Sequence, residues 1–231
     1  MIDGFVGIEK ISLVDFEGYV TCTLFTSGCN FRCPWCHNGP LVNNDVEKPL
    51  DFNEIIDYLT SRKKIIEAVC ITGGEPTLMV SLPYYIKKIK DLGFVIKLDT
   101  NGTNPKMVKE LIDNHLVDYI AMDIKSGTSN YSMVAGINKV PLEKIKETIN
   151  ILETSNIHHE FRTTLVKEFH DFDSIKEIKD LINGTKTYYL QHFVERDSSL
   201  SKGFHEIKKE TAIEYKEYLE QFITNVYLRG Y

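Results

Sequence analysis

Glu67-Ala68-Val69-Cys70-Ile71-Thr72-Gly73-Gly74-Glu75-Pro76 reads as a buried strand running into a glycine turn. A helical pattern follows from Ser81 to Leu92 and closes at Gly93, and Phe94 to Leu98 is again strand-like. The same alternation extends outward in both directions. Upstream, residues 5–14 and 19–26 predict a hairpin, followed by a cysteine loop to about residue 50. A helix then opens at Asp51 and Glu54, with Phe52, Ile55, Ile56 and Leu59 on its apolar face. Downstream, Asn104-Pro105 opens a helix and residues 118–122 form a strand. Pro141 opens a helix bearing Leu142, Ile145, Ile149 and Leu152, and His159 to Val166 is a strand. Asp171 to Ile182 is a helix with Phe172, Ile175 and Ile178 on one side, and Thr187 to Gln191 is a strand. A last helix over 208–222 and a strand from Ile223 to Leu228 complete the chain.

Six strand–helix units in line argue for a parallel sheet with helices outside it. A full eight-unit barrel usually takes about 250 residues, so 231 residues suit an incomplete (β/α)6 TIM-like barrel with an N-terminal β-hairpin. Periodicity alone leaves an open doubly wound sheet as the other arrangement. No linker, repeat or low-complexity stretch divides residues 1–231, which read as a single domain. With 42% hydrophobic and 26% charged residues the composition is that of a globular protein. A net charge of −6 without a basic block argues against nucleic acid as a partner. No segment reaches the roughly 18 apolar residues of a membrane span. Met1-Ile2-Asp3-Gly4-Phe5 lacks the positive region of a signal peptide, so a cytoplasmic location is expected.

The chemistry concentrates in Gly28-Cys29-Asn30-Phe31-Arg32-Cys33-Pro34-Trp35-Cys36-His37-Asn38. Three close thiolates can hold three corners of an iron–sulfur cubane and leave one iron open, where ordinary clusters use four cysteines. A structural zinc site wants four ligands, and His37, directly after Cys36, is poorly placed to be the fourth. A disulfide framework needs an oxidising compartment. Cys22 and Cys70 lie in apolar runs and read as packing residues.

The other polar motifs follow successive strands, and parallel barrels build their sites at the carboxyl ends of strands. Gly73 and Gly74 let backbone approach a ligand, and the Glu75 carboxylate can accept from an ammonium group; a plain glycine turn is the bland alternative. Asp99-Thr100-Asn101-Gly102 follows the third core strand and Asp123-Ile124-Lys125 the fourth. Two bare carboxylates sharing a mouth need a cation, a proton or a lysine, for which Lys125 is a candidate; a strand-end salt bridge is the simpler reading. Arg162, in a buried-looking strand, needs an anionic partner, either a ligand or a structural carboxylate. His170 reads as loop. The ending Arg229-Gly230-Tyr231 reads as a terminal edge strand.

The cysteine spacing, together with Gly73-Gly74-Glu75-Pro76, resembles the radical S-adenosylmethionine (SAM) superfamily, whose fold is the incomplete barrel. The continuation Cys36-His37-Asn38 and the run Asp99-Thr100-Asn101-Gly102 narrow the resemblance to glycyl-radical activating enzymes. Thr23 to Asn38 looks like the family that activates anaerobic ribonucleoside-triphosphate reductase. The resemblance implies a [4Fe–4S] cluster on Cys29, Cys33 and Cys36 and reductive cleavage of SAM. It also implies abstraction of a glycine Cα hydrogen in a partner glycyl-radical enzyme, with flavodoxin or ferredoxin as electron donor.

The same resemblance assigns the SAM amino group to Gly73, Gly74 and Glu75, and adenine to the Trp35 backbone, where the ring is otherwise a cover for the cluster. His37 recurs in these activating enzymes, with loop bracing as its alternative role. Asp99, Thr100 and Asp123 correspond to a monovalent cation site against the SAM carboxylate, with Lys125 and Arg162 contacting SAM. His192 corresponds to a ribose contact, in a register that Phe193 could equally occupy. The alternatives are a radical SAM enzyme acting on a small molecule, such as the carboxy-deazaguanine synthases, and a non-catalytic metal-binding module.

Overall fold

The computed structural model describes residues 2–45 and 48–231; residues 46 and 47, inside the expected cysteine loop, and Met1 lie outside the described residues. The sheet has eight strands in chain order, β1 (Phe5–Ser12), β2 (Thr21–Thr26), β3 (Ala68–Gly73), β4 (Val95–Thr100), β5 (Tyr119–Asp123), β6 (His158–Leu165), β7 (Thr187–His192) and β8 (Asn225–Arg229). β1 pairs antiparallel with β2 as the expected hairpin, and the recorded pairings from β2 to β4 and from β6 to β8 are parallel. This is an α/β fold with the strand order of a partial (β/α) barrel. Among the described residues no helix is long and apolar enough to cross a membrane.

The chain divides into two compact units. One comprises residues 2–30, 40–100 and 104–120, and the other residues 31–39, 101–103 and 121–231. In the first unit, α2 (Phe52–Arg62) starts where the Asp51 carboxylate accepts from Asn53 N at 2.8 Å, and it buries Ile55 and Leu59 one turn apart. α3 (Leu82–Lys90) buries Leu82, Ile86 and Ile89 and gives way to Gly93, whose φ of +91° suits glycine. α4 (Pro105–Asp113) buries Val108 and Leu111. Burying side chains of this kind contributes about 1.5–3 kcal/mol each.

In the second unit, α6 (Leu142–Thr154) buries Ile145, Ile149 and Leu152. α7 (Phe172–Leu181) is capped by Asp171, which accepts from Ser174 N at 2.8 Å, and α8 (Lys209–Leu219) buries Ala212 and Leu219. Phe172 departs from the expected inward stripe. It is 38% exposed and packs its ring on Tyr215 and Tyr218 instead. Two helices of five residues escape the sequence pattern, α1 (Gly39–Asn43) and α5 (Tyr131–Ala135), because one turn is too short to show a period. The last helix also ends earlier than its apolar stripe, leaving Phe222 39% exposed.

Candidate active site

In the first unit, the turn after β3 is pressed against the backbone that leads into Cys29. Gly74 N donates to Thr26 O at 3.0 Å and Glu75 N donates to Gly28 O at 2.8 Å. No side chain fits there. A Cβ on Gly74 would lie 2.0 Å from Gly28 O, and one on Gly73, whose φ is +121°, would lie 2.4 Å from Thr26 O. Gly74→Ala should therefore push Gly28 and Cys29 apart from the turn and lower stability by about 1–3 kcal/mol. A urea midpoint equal to wild type would refute this account.

Glu75 is 1% exposed, and its carboxylate is turned inward. Its Oε1 accepts from the Thr77 amide at 3.2 Å, from the Thr77 hydroxyl, and from the Thr100 hydroxyl at 2.6 Å. The carboxylate thus braces the turn onto the end of β4 through Oε1. Thr100, expected beside a cation, directs its proton to Glu75. Asp99 lies beside a residue that sequence reasoning missed. Lys97, on the same face of β4, places its ammonium 2.9 Å from Asp99 Oδ1. That approach is a close charge pairing rather than an aligned hydrogen bond.

In the second unit, the cysteine loop from Phe31 to Gly39 is clamped on two sides. Arg32 N donates to Ala135 O at 2.8 Å, and Gly136, in the left-handed region at φ +65°, lets its backbone approach Arg32 so closely that a Cβ would lie 2.0 Å from Arg32 O. From the other side, Leu200 N donates to Cys36 O at 3.1 Å, Ser201 N to Pro34 O at 2.7 Å and Gly39 N to Ser198 O at 3.2 Å. Nothing in the periodicity of 198–201 marked this segment as part of the site. Cys33 closes a turn by accepting from Cys36 N at 3.0 Å. Burial pushes the Cys33 thiol up to about 11, partly offset by the Lys125 charge, and burial raises Cys36 too. A coordinated metal would supply the positive charge that makes them thiolates.

Lys125 is held from four directions. Its ammonium pairs with Asp123 Oδ2 at 2.8 Å and lies 5.3 Å from the centre of the Trp35 ring. Its amide donates to the Tyr131 hydroxyl at 3.2 Å, and its carbonyl accepts from His170 Nε2 at 2.9 Å. His170 is therefore more than loop. It is 2% exposed, its Nε2 donates to the Lys125 carbonyl, and its Nδ1 lies 3.0 Å from Val166 N and 3.1 Å from Val166 O. Burial lowers its pKa, against the hydrogen bonds to the Lys125 and Val166 backbone. Arg162 Nε donates to Asp123 Oδ1, realising the ion-pair reading of this arginine. For Asp123, burial works against the charge, but Arg162 and Lys125 outweigh it and hold the carboxyl well below the usual carboxylate range.

Phe193, 1% exposed, packs edge-on to Trp35 and stacks on His37 at 5.6 Å. His192 is turned elsewhere, with Nε2 2.8 Å from Glu206 Oε2 and its ring edge-on to Tyr231 at 4.7 Å. Burial, then Arg196, lower the His37 pKa. Outside this cluster of candidates, Cys22 and Cys70 are fully buried in β2 and β3, and burial pushes the Cys22 thiol up to about 12, as befits packing residues.

Among the described residues, no three His, Cys, Asp or Glu side chains gather around the position of a single metal ion. A cubane asks for something else, because its cysteine ligands stand on separate irons. The fit rests on the donor set. None of the five cysteines forms a disulfide, and the Trp35 Nε1 and His37 Nε2 atoms flanking Cys36 in sequence are buried without a hydrogen-bond partner. Orphaned buried polar atoms beside thiol ligands are what a bound group would satisfy.

The pattern of the radical SAM superfamily matches residues 23–182. A Methanocaldococcus jannaschii protein provisionally named glycyl-radical enzyme activating enzyme is 33% identical over 199 residues, covering 83% of this chain and 80% of its own. The pyruvate formate-lyase-activating enzyme of Clostridium pasteurianum is 29% identical over 183 residues, covering 76% of this chain and 73% of its own. Among solved structures, Streptococcus suis SuiB bound to S-adenosylmethionine has a TM-score of 0.70 at 13% identity over 89% of this chain. The present chain spans 49% of that protein, and the likeness is one of fold. The matched family is one of enzymes that use a [4Fe–4S] cluster and SAM. The match takes in the cysteine loop, the glycine turn and both strand-end aspartates, and this chain therefore belongs to the radical SAM superfamily.

Proposed function

We propose that this enzyme installs a glycyl radical in a partner protein. The observation that carries the reading is likeness along most of both chains to proteins named as glycyl-radical activating enzymes. Cys29, Cys33 and Cys36 would hold the cluster, and the backbone of Gly73, Gly74 and Glu75 would receive the SAM amino group. When bound, cluster and SAM supply a 5′-deoxyadenosyl radical, the cleavage consuming one electron from a flavodoxin or ferredoxin. Trp35 and His37, the chain neighbours of Cys36, both pack on Phe193 and would cover the cluster loop on that side. Asp123, fixed by Arg162, holds Lys125 beside the cysteine loop, where its charge favours the thiolate form of Cys33. The hydrogen atom leaves a glycine Cα of the partner for the 5′ carbon, which needs the reacting atoms within about 3–3.5 Å. The partner we favour is an anaerobic ribonucleotide reductase, on the strength of the run from Thr23 to Asn38.

The test uses a partner deuterated at glycine Cα. Deuterium is expected in 5′-deoxyadenosine, and the EPR doublet that the remaining α-proton gives an unlabelled partner should collapse to a single narrow line in the deuterated one. If a small metabolite labels that position while no glycine-bearing partner does, the small-molecule reading replaces this one.

A further inference from the structure

Lys97 is a charged residue in the interior of a strand, 4% exposed, between the fully buried Ile96 and Leu98. A buried ammonium is costly unless it is paired and its protons are taken up. A charge partner and a hydrogen-bond acceptor are both in place here. Nζ stands 2.9 Å from Asp99 Oδ1 and donates to Asp15 O at 2.7 Å, while Asp15 Oδ2 accepts from the Thr23 hydroxyl at 2.5 Å. The hairpin loop thus grips the ammonium from one side and presents it to Asp99 on the other.

The family resemblance asks Asp99, Thr100 and Asp123 to share a dissolved monovalent cation. Each of these residues already has a partner that such an ion would have to displace. Asp99 has Lys97, the Thr100 hydroxyl donates to Glu75, and Asp123 has both Lys125 and Arg162. The first unit carries its own positive charge at Asp99, and an alkali ion brought there would meet an ammonium of the same sign. We infer that Lys97 is the resident cation of this site: a covalently tethered single positive charge that positions Asp99 for SAM without sodium or potassium. Lys97 acts through Asp99 and is a positioning residue. The inference rests on the proposed SAM site.

SAM binding to the anaerobically reconstituted protein, measured by equilibrium dialysis in sodium, potassium or tetramethylammonium chloride at one ionic strength, tests it. Wild type should bind with the same Kd in all three salts, within about twofold. Lys97→Met, nearly the same in shape but uncharged, should bind about tenfold more weakly in tetramethylammonium. It should recover in sodium or potassium, which can enter the vacated position. Lys97→Arg should keep the salt indifference of wild type.

A wild-type Kd that follows the alkali ion overturns the inference, as does a Lys97→Met protein that binds SAM as wild type does, or weakly in every salt. Should Lys97→Met fail to fold, the wild-type and Lys97→Arg salt series decide by the same criterion. Wild type that binds no SAM in any salt overturns the proposed function itself, and this inference with it.

Discussion

Cys33→Ala is expected to lose essentially all iron and acid-labile sulfide, and with them the visible absorption of the anaerobically reconstituted protein. Two thiolates can hold only two corners of a cubane, too few to retain it where four cysteines are the ordinary complement. Cys29→Ala and Cys36→Ala should behave alike, because each supplies one iron. The control is Cys70→Ala. Cys70 lies in the middle of β3, fully buried, and its replacement should leave cluster content unchanged while costing about 1 kcal/mol of packing. Iron and sulfide analysis separates these outcomes. Full cluster content in Cys33→Ala, or loss in a folded Cys70→Ala, would falsify the ligand assignment.

Asp123→Asn should be the most damaging single change to stability outside the cysteine loop. The Asp123 carboxylate meets both Arg162 and Lys125, whose side chains are 13% and 14% exposed. Removing its charge takes from two largely buried cations the carboxylate that each pairs with here. Breaking such a pair costs about 3–5 kcal/mol, and partial exposure of Asp123 itself, at 27%, places the expectation at about 3 kcal/mol.

The pH dependence has a definite sign. The folded carboxyl titrates below its unfolded value, so its contribution is fully present above the ordinary Asp pKa of about 3.9 and is lost as pH falls through the folded value. For Lys125, burial lowers the pKa but Asp123 outweighs it and raises it. That contribution is fully present below the ordinary lysine value and fades only as pH rises through the folded one. The gap in urea midpoint between wild type and Asp123→Asn should therefore be constant from about pH 5 to pH 8 and narrow only in acid below about pH 4. A gap that closes between pH 8 and pH 6 would mean that another group, not Asp123, carries the effect.

Several features were legible without coordinates because they are properties of a short stretch of chain. The spacing of Cys29, Cys33 and Cys36 is covalent. The alternation of apolar runs with helical stripes repeats within windows of about ten residues, and it placed the strand–helix units, the cap at Asp51, and the packing character of Cys22 and Cys70. As sequence, Gly73 and Gly74 read as an approach of backbone to a ligand; the close approach that the structure shows is to the backbone of Thr26 and Gly28. One local signal was available and missed. Lys97 sits two residues before Asp99 in an apolar strand, and period-two geometry places the pair on one face.

Only the tertiary structure could decide which charges and donors find each other. Glu75 turns to Thr77 and Thr100 instead of outward, Arg162 reaches across 39 positions to Asp123, and His170 is spent on the Lys125 carbonyl. Residues 198–201, featureless as sequence, hold the backbone of the cysteine loop, and Phe193 rather than His192 lies against Trp35 and His37. The physical reason is common to all of these. A propensity or a spacing is summed over neighbours in the chain, whereas a buried charge or donor is satisfied by whatever group packing brings within about 3 Å, and that group can come from any part of the sequence.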